Sequence, residues 1–184
     1  HCESSAASDV YKRQEYDLNM ENHKLGKLIN QTVKAHQDQA RLRNITLNVQ
    51  LEEDIDIVVD ASAFSIILSN FVTNALKHSP SNSEILIKND LEDDFLTTLS
   101  VIDHGKGIPK KYRDRVFERF FRVDKGRAKH SGGTGLGLAI SKHLARLMGY
   151  EVGMKPNKPN GSRFWISVNY ASSEEEKSLT PELA

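Results

Sequence analysis

Residues 132–138, Gly-Gly-Thr-Gly-Leu-Gly-Leu, constrain this chain more than any other stretch. They open an amphipathic helix, with Leu136, Ile140, Leu144 and Leu147 at helical spacing, and they follow a strongly basic segment. Four glycines in six positions leave backbone N–H groups uncovered, so phosphate oxygens can approach closely. The helix start adds partial positive charge at the same place. Two common phosphate motifs are excluded by spacing. The dinucleotide fingerprint needs Gly-x-Gly-x-x-Gly directly after a strand, and Gly133-Thr134-Gly135-Leu136-Gly137 has the wrong third interval. The Walker A loop needs a lysine where Leu138 stands. Taken alone, the stretch also reads as a glycine-rich turn that merely lets a helix start.

Composition narrows the class. The chain has 184 residues, a length suited to one domain, and a formal net charge of +0 that points neither to nucleic acid nor to a membrane surface. The single cysteine, Cys2, excludes internal disulfides and a cysteine-based zinc site, and the seven histidines show no metal-ligand spacing. No apolar run approaches a membrane span. Residues 1–14 read as a non-native or disordered leader, and residues 171–184, with Glu174-Glu175-Glu176, as a disordered acidic tail. The charge of interest is local: residues 106–129 hold ten Lys/Arg against three acids, a net +7.

Periodicity lays out the elements between those ends. Leu25, Leu28, Ile29, Val33 and Ala40 predict a helix over 24–43. Ile45, Leu47, Val49 and Leu51 alternate with polar residues as a half-buried strand, and Ile55–Val59 is a short second one. Asp60 is placed to cap a helix over 61–78, which Ser79-Pro80 ends because the residue before proline avoids the helical region. Strands follow at 84–91 and 95–102. Then come the basic segment, a helix over 134–148 stopped at Gly149, and strands at about 150–155 and 163–169. Hairpins with helices between them indicate an α+β fold: a two-layer sandwich whose single mixed sheet is covered on one face by three helices.

Three further clusters carry polar chemistry. On the helix over 61–78, Phe64, Ile67, Leu68, Phe71, Val72, Ala75 and Leu76 follow core spacing. Asn70, Asn74 and Lys77 lie along the other side, with His78 beside them. Such a row could hold a hydrated Mg²⁺ and a polyphosphate through oxygen ligands, or be an ordinary polar face. Asp103 ends a strand and begins Asp-His-Gly-Lys-Gly-Ile-Pro. It can accept from a flat ring's amine beside an uncrowded backbone, and it equally fits an Asx turn. Residues 117–122, Phe-Glu-Arg-Phe-Phe-Arg, interleave aromatics with cations, weak evidence for nucleic acid in a neutral chain.

Taken in order, these residues resemble the ATP-binding catalytic domain of two-component sensor histidine kinases, within the wider superfamily that also holds gyrase, the Hsp90 chaperones and MutL. Asn70-Phe-Val-Thr-Asn74-Ala-Leu-Lys77-His78 looks like the N box. Val101-Ile-Asp103-His-Gly105-Lys-Gly107-Ile108-Pro looks like the first glycine box. Val116-Phe-Glu-Arg-Phe-Phe-Arg122 is similar to the F box, which other branches generally lack. Gly132 to Leu138 is similar to the second glycine box, and Gly161-Ser-Arg-Phe164 resembles the closing strand. The likeness spans roughly residues 22–170, within a catalytic domain expected over 15–170.

The resemblance implies the Bergerat ATP-binding fold, with ATP and Mg²⁺ as cofactors. Asn74 would coordinate Mg²⁺, with Asn70 supporting it. Lys77 and Arg122 would meet phosphates; with Asn74 they form the implied catalytic set. His78 would lie against the nucleotide, and Asp103 would bind the adenine amine, with Gly105, Gly107 and Ile108 beside it. Gly133, Thr134, Gly135, Leu136, Gly137 and Leu138 would cradle phosphates. Residues 123–133, carrying Lys125, Arg127 and Lys129, would form a lid. The implied partners are a histidine-bearing dimerisation domain of the same kinase and a downstream response regulator. The implied setting is a cytoplasmic domain of an integral membrane sensor, with no nucleic acid and no membrane contact by the domain itself.

The chain departs from the pattern in places. Tyr150 replaces a usual second glycine after the last helix, and the stretch 155–160 lacks a glycine common before the final strand. None of the seven histidines sits in the His-Glu/Asp-x-x-Thr-Pro setting of a phosphoacceptor, so the chain reads as a fragment. Two rivals stand beside the kinase reading. Hydrolytic relatives place a glutamate four residues before the Mg-binding asparagine; here that position is Asn70, which is no general base. A module that binds nucleotide only to switch a protein contact also fits the residues.

Overall fold

The computed structural model describes residues 18–92, 96–123 and 134–170. The expected leader and tail lie outside these residues, as do Gly133 and the lid cations Lys125, Arg127 and Lys129. Among the described residues there are seven strands and three α-helices: β1 (Glu21–Lys24), α1 (Leu25–Leu42), β2 (Ile45–Gln50), β3 (Asp56–Val59), α2 (Ala61–His78), β4 (Ser83–Glu92), β5 (Leu96–Ile102), α3 (Gly137–Leu147), β6 (Glu151–Pro156) and β7 (Ser162–Asn169).

The main sheet has the order β2-β4-β5-β7-β6. Only β2 and β4 run parallel; the other neighbours are antiparallel, so the sheet is mixed as expected. Its inner rows, Ile85 and Ile87, Leu99 and Val101, and Phe164, Ile166 and Val168, are all at most 1% exposed. Phe64, Ile67, Leu68, Phe71, Val72, Ala75 and Leu76 of α2 are buried in the same core, which makes α2 the central helix of the second layer. Phe71 and Phe164 meet with ring centroids 5.7 Å apart, and Phe117 approaches Phe164 edge-on at 6.2 Å. The other face is polar: Arg163 reaches Asp90 at 2.6 Å and Ser100 at 2.9 Å.

Helix starts follow their caps. Asp60 accepts from the Ala63 N–H at 2.8 Å and also from the Asn19 N–H at 2.9 Å. Those bonds, the one from Ala63 first, hold its carboxyl below the ordinary value despite some burial. No side chain caps α1 from its own N-cap Lys24; instead Asp54 accepts from the Gly26 N–H at 2.7 Å.

Three local expectations change. The strand predicted at 55–59 pairs antiparallel with β1 in a separate two-stranded ribbon instead of joining the main sheet. Its partner, Glu-Asn-His-Lys, is polar throughout and carries no alternation by which to detect it. The basic segment folds over Lys110–Arg115 into a 3₁₀ turn. The last helix begins at Gly137 instead of 134, because Gly135 takes φ +72, which ends any helical run. Among the described residues no helix is long and apolar enough to cross a membrane.

The Tyr150 departure is absorbed by the fold. Gly149 alone takes the left-handed conformation after α3, at φ +81, and Tyr150 is not among the residues with positive φ. The Tyr150 N–H bonds the Ala145 carbonyl at 2.8 Å, and its hydroxyl donates to the Val58 carbonyl. The second glycine is replaced by a residue that ties the end of α3 to the small ribbon.

Candidate nucleotide-binding site

Three elements converge on one edge of the helical layer: the C-terminal half of α2, the loop after β5, and the glycine-rich entry to α3. One of these meetings, Gly105 on the end of α2, is a close backbone contact that only glycine permits.

Asp103 terminates β5 and is 2% exposed. Its Oδ1 accepts from the Gly105 N–H at 2.8 Å and from the Ser162 N–H at 3.2 Å. The Asx turn is therefore formed, with both bonds on Oδ1 and Oδ2 left without a hydrogen bond among the described residues. Burial pushes the Asp103 carboxyl above its ordinary pKa, opposed by the two N–H donors and by His104. The Asp103 N–H donates to the Ser162 carbonyl at 2.8 Å, and the Asn157 side chain donates to the Asp103 carbonyl at 3.0 Å. Residues 155–160 thus brace the aspartate through an asparagine side chain.

Gly105 lies against the C-terminus of α2. A β-carbon there would stand 2.4 Å from the His78 carbonyl oxygen, a separation no side chain tolerates. Gly107 takes φ +69 with its β position 3.0 Å from the Gly161 carbonyl. Ile108 is half-buried against the core and accepts at its carbonyl from Arg113 at 2.9 Å.

On α2, Asn74 is half-exposed, and among the described residues its carboxamide has no hydrogen-bond partner. Asn70, one turn earlier, is committed: its Nδ2 donates to the Gly137 carbonyl at 2.9 Å and to Ser141 Oγ at 3.1 Å. Lys77 is half-exposed, and burial first, then the nearby Arg122 guanidinium, pull its pKa down. Lys77 and Arg122 thus place two cations near each other where Lys77 is partly desolvated. His78 is exposed at the same helix end, with its carbonyl against Gly105.

The entry to α3 completes the edge. Phe120 donates its N–H to the Gly135 carbonyl at 2.9 Å, and a β-carbon on Gly135 would lie 2.9 Å from the Phe120 backbone. Thr134 is exposed, Leu136 half-buried, and Leu138 packs on the core. Phe120 itself takes φ +61 and is 70% exposed. A groove of about 230 Å³ lined by Arg119, Phe120, Leu136, Ala139, Ile140 and His143 runs beside this loop.

The structure therefore brings together Asn70 with Gly137, Lys77 with Arg122, and His78 with Gly105 and Asp103. Gly161, Ser162, Asn157 and Ser141 were not among the sequence candidates. Gly161 and Ser162 carried a signal in the closing-strand pattern; Asn157 and Ser141 carried none, because their roles arise only from tertiary contact.

The chain is similar to known proteins over most of its length. Residues 59–172, more than half of the chain, match the family described as histidine kinase-, DNA gyrase B- and HSP90-like ATPase. The sensor histidine kinase WalK of Bacillus subtilis is 36% identical over 126 residues, covering 68% of this chain and 21% of WalK. The sensor-like histidine kinase SenX3 of Mycolicibacterium smegmatis is 33% identical over 141 residues, covering 77% of this chain and 36% of SenX3. The crystal structure of full-length ShkA in complex with AMPPNP superposes with a TM-score of 0.75 at 27% identity, covering 85% of this chain and 32% of ShkA. The chain spans well under half the length of these relatives. The chain belongs to the histidine kinase-, DNA gyrase B- and HSP90-like ATPase family and carries its ATP-binding domain.

Proposed function

We propose that this domain is the catalytic part of a two-component sensor histidine kinase, delivering the γ-phosphoryl group of Mg·ATP to a histidine on a separate dimerisation domain, from which a response regulator receives it. The observation that carries this reading is Asn70. It stands where hydrolytic relatives hold a general base, and both of its N–H groups are spent on Gly137 and Ser141. No carboxylate is therefore offered to activate water at that position.

In this reading Asp103 Oδ2 accepts from the adenine amine, while the backbone around Gly105 and Gly107 lets the ring approach. Lys77 and Arg122 neutralise phosphate charge, and the N–H groups at the start of α3 receive phosphate oxygens. The donor set fits Mg²⁺. Among the described residues no group of three His, Cys, Asp or Glu could hold a metal alone; the Asn74 carboxamide oxygen, without a hydrogen bond among them, would serve as a protein ligand to a phosphate-bound Mg²⁺. Bound Mg²⁺ would supply charge neutralisation at the phosphates. Catalysis is then positioning and electrostatics, as in phosphoryl transfer generally. The acceptor histidine would approach past the exposed Phe120 and Ile140.

The test is to mix the purified domain with a separate histidine-bearing dimerisation domain and γ-labelled ATP. Label on the acceptor histidine supports the kinase reading. Label released only as inorganic phosphate favours an ATPase, and nucleotide binding with neither product favours a nucleotide-operated switch.

A further inference from the structure

Asn70 and Ser141 close a small hydrogen-bond circuit whose direction is fixed at every atom. Ser141 is 0% exposed, and its hydroxyl donates to the Gly137 carbonyl at 3.0 Å. Its oxygen then accepts from Asn70 Nδ2 at 3.1 Å, and the second Nδ2 proton goes to the same Gly137 carbonyl at 2.9 Å. A hydroxyl has one proton and a carboxamide two, so no donor is left over. A β-carbon on Gly137 would lie 3.0 Å from Asn70 Oδ1, so α2 and α3 approach closely here.

The location gives the circuit a consequence. Gly137 is the first residue of α3 and belongs to the glycine loop, whereas Asn74 lies one helical turn beyond Asn70. The circuit therefore sets the distance between the N–H groups aimed at phosphate and the carboxamide aimed at the metal. Without the Ser141 oxygen, one Asn70 proton loses its partner and the carboxamide is free to turn.

We propose that Ser141, which need not touch the nucleotide, is a positioning residue for phosphoryl transfer, holding the α3 entry in register with Asn74 through Asn70. The proposal rests on the ATP reading above. A purely structural role predicts something else. Alanine is the better helix former and fills this position, so Ser141→Ala leaves the fold nearly as stable and all nucleotides bound alike.

The experiment compares wild type with Ser141→Ala in three measurements: ADP affinity, affinity for Mg·ATP analogues, and transfer to a supplied dimerisation domain. Wild type must first bind Mg·ATP; if it does not, the ATP reading fails independently of Ser141. Given that binding, the expected result is unchanged ADP affinity, a transfer kcat lower by about tenfold, and a KM for ATP within about twofold of wild type. In a double-mutant cycle, Asn70→Ala with Ser141→Ala should be no worse than Asn70→Ala alone, because the two act as one unit. Ser141→Thr, which restores the hydroxyl, should recover transfer. Equal losses for ADP and ATP, no loss in transfer, or additive effects in the cycle would each overturn the proposal. Should Ser141→Ala not fold, Asn70→Ala, on the half-exposed side of α2, puts the same ADP-versus-transfer comparison.

Discussion

Gly161 packs its α-carbon so tightly on Asp103 that a β-carbon there would stand 1.9 Å from the Asp103 carbonyl oxygen. The contact joins the start of β7 to the end of β5 and places the Ser162 N–H on the Asp103 carboxylate at 3.2 Å. Gly161 also takes φ +121, which other residues rarely adopt. Gly161→Ala should therefore cost about 2–4 kcal/mol of stability, and it should weaken ADP because the aspartate is displaced with the strand. Urea unfolding and ADP calorimetry check this together. Wild-type values in both would mean that the close approach is not needed.

Asp103 makes stability and binding respond to pH in opposite senses. Burial raises its carboxyl pKa in the folded state above the ordinary value of 3.8, so the native fold holds the proton more tightly than the unfolded chain. The contribution to stability is therefore full below 3.8 and is lost as pH rises through the raised native value. The adenine amine needs the ionised acceptor, so ADP affinity should fall as pH falls through the same window. Asp60 and Asp90, whose pKa values are lowered, contribute with the opposite sign. The quantity to measure is thus the difference between wild type and Asp103→Asn across that window. At neutral pH Asp103→Asn should weaken ADP by roughly ten- to a hundredfold, the loss of a charge-assisted hydrogen bond of about 1.5–3 kcal/mol. A folded variant with wild-type affinity at every pH would remove Asp103 from the adenine site.

Most of the fold was legible because its signals are periodic. The seven core residues of α2 and the alternation of Phe164, Ile166 and Val168 are burial patterns written directly into the chain, and all are buried. What stayed hidden depends on contacts between distant residues. The strand Glu21–Lys24 has no apolar alternation and exists because β3 offers it a ladder. In the site, residue types marked Asn70, Asn74, Lys77 and Asp103 as candidates. That Asn70 is consumed by the α3 entry, while Asn74 has no hydrogen-bond partner among the described residues, follows only from how α2 and α3 pack. The Asn157 brace was invisible for the same reason, since it lies 54 positions from the carbonyl it meets.

Lys77 should trade stability for binding. Burial and Arg122 lower its pKa in the folded state, so its charged form is disfavoured by folding. A depressed lysine carries its full penalty below the lowered native value and is relieved as pH rises past that value towards 10.5. Lys77→Met, which removes the charge and keeps the stem, should raise the urea midpoint of the nucleotide-free domain at a pH below the lowered native value. The same variant should weaken ATP by about tenfold, because a phosphate contact is gone. A lower midpoint together with unchanged ATP affinity would refute both halves.

Asn74 is the position at which binding and chemistry should separate. Its carboxamide has no partner among the described residues, so replacing it breaks no hydrogen bond within them and the domain should stay folded. Asn74→Asp keeps an oxygen for Mg²⁺ but adds a negative charge where phosphates gather, and a like charge in a partly desolvated site is costly. ADP should still bind, since Asp103 and the glycine loop are untouched. Transfer to a supplied dimerisation domain should fall by at least about a hundredfold, the scale on which losing one preorganised electrostatic contact is felt. The same assay with raised Mg²⁺ distinguishes the causes. Partial recovery at high Mg²⁺ is expected if the metal has merely become harder to place, and Asn74→Ala, which has no oxygen at all, should recover less. Full transfer activity in a folded Asn74→Asp domain at ordinary Mg²⁺ would mean that the metal is held elsewhere.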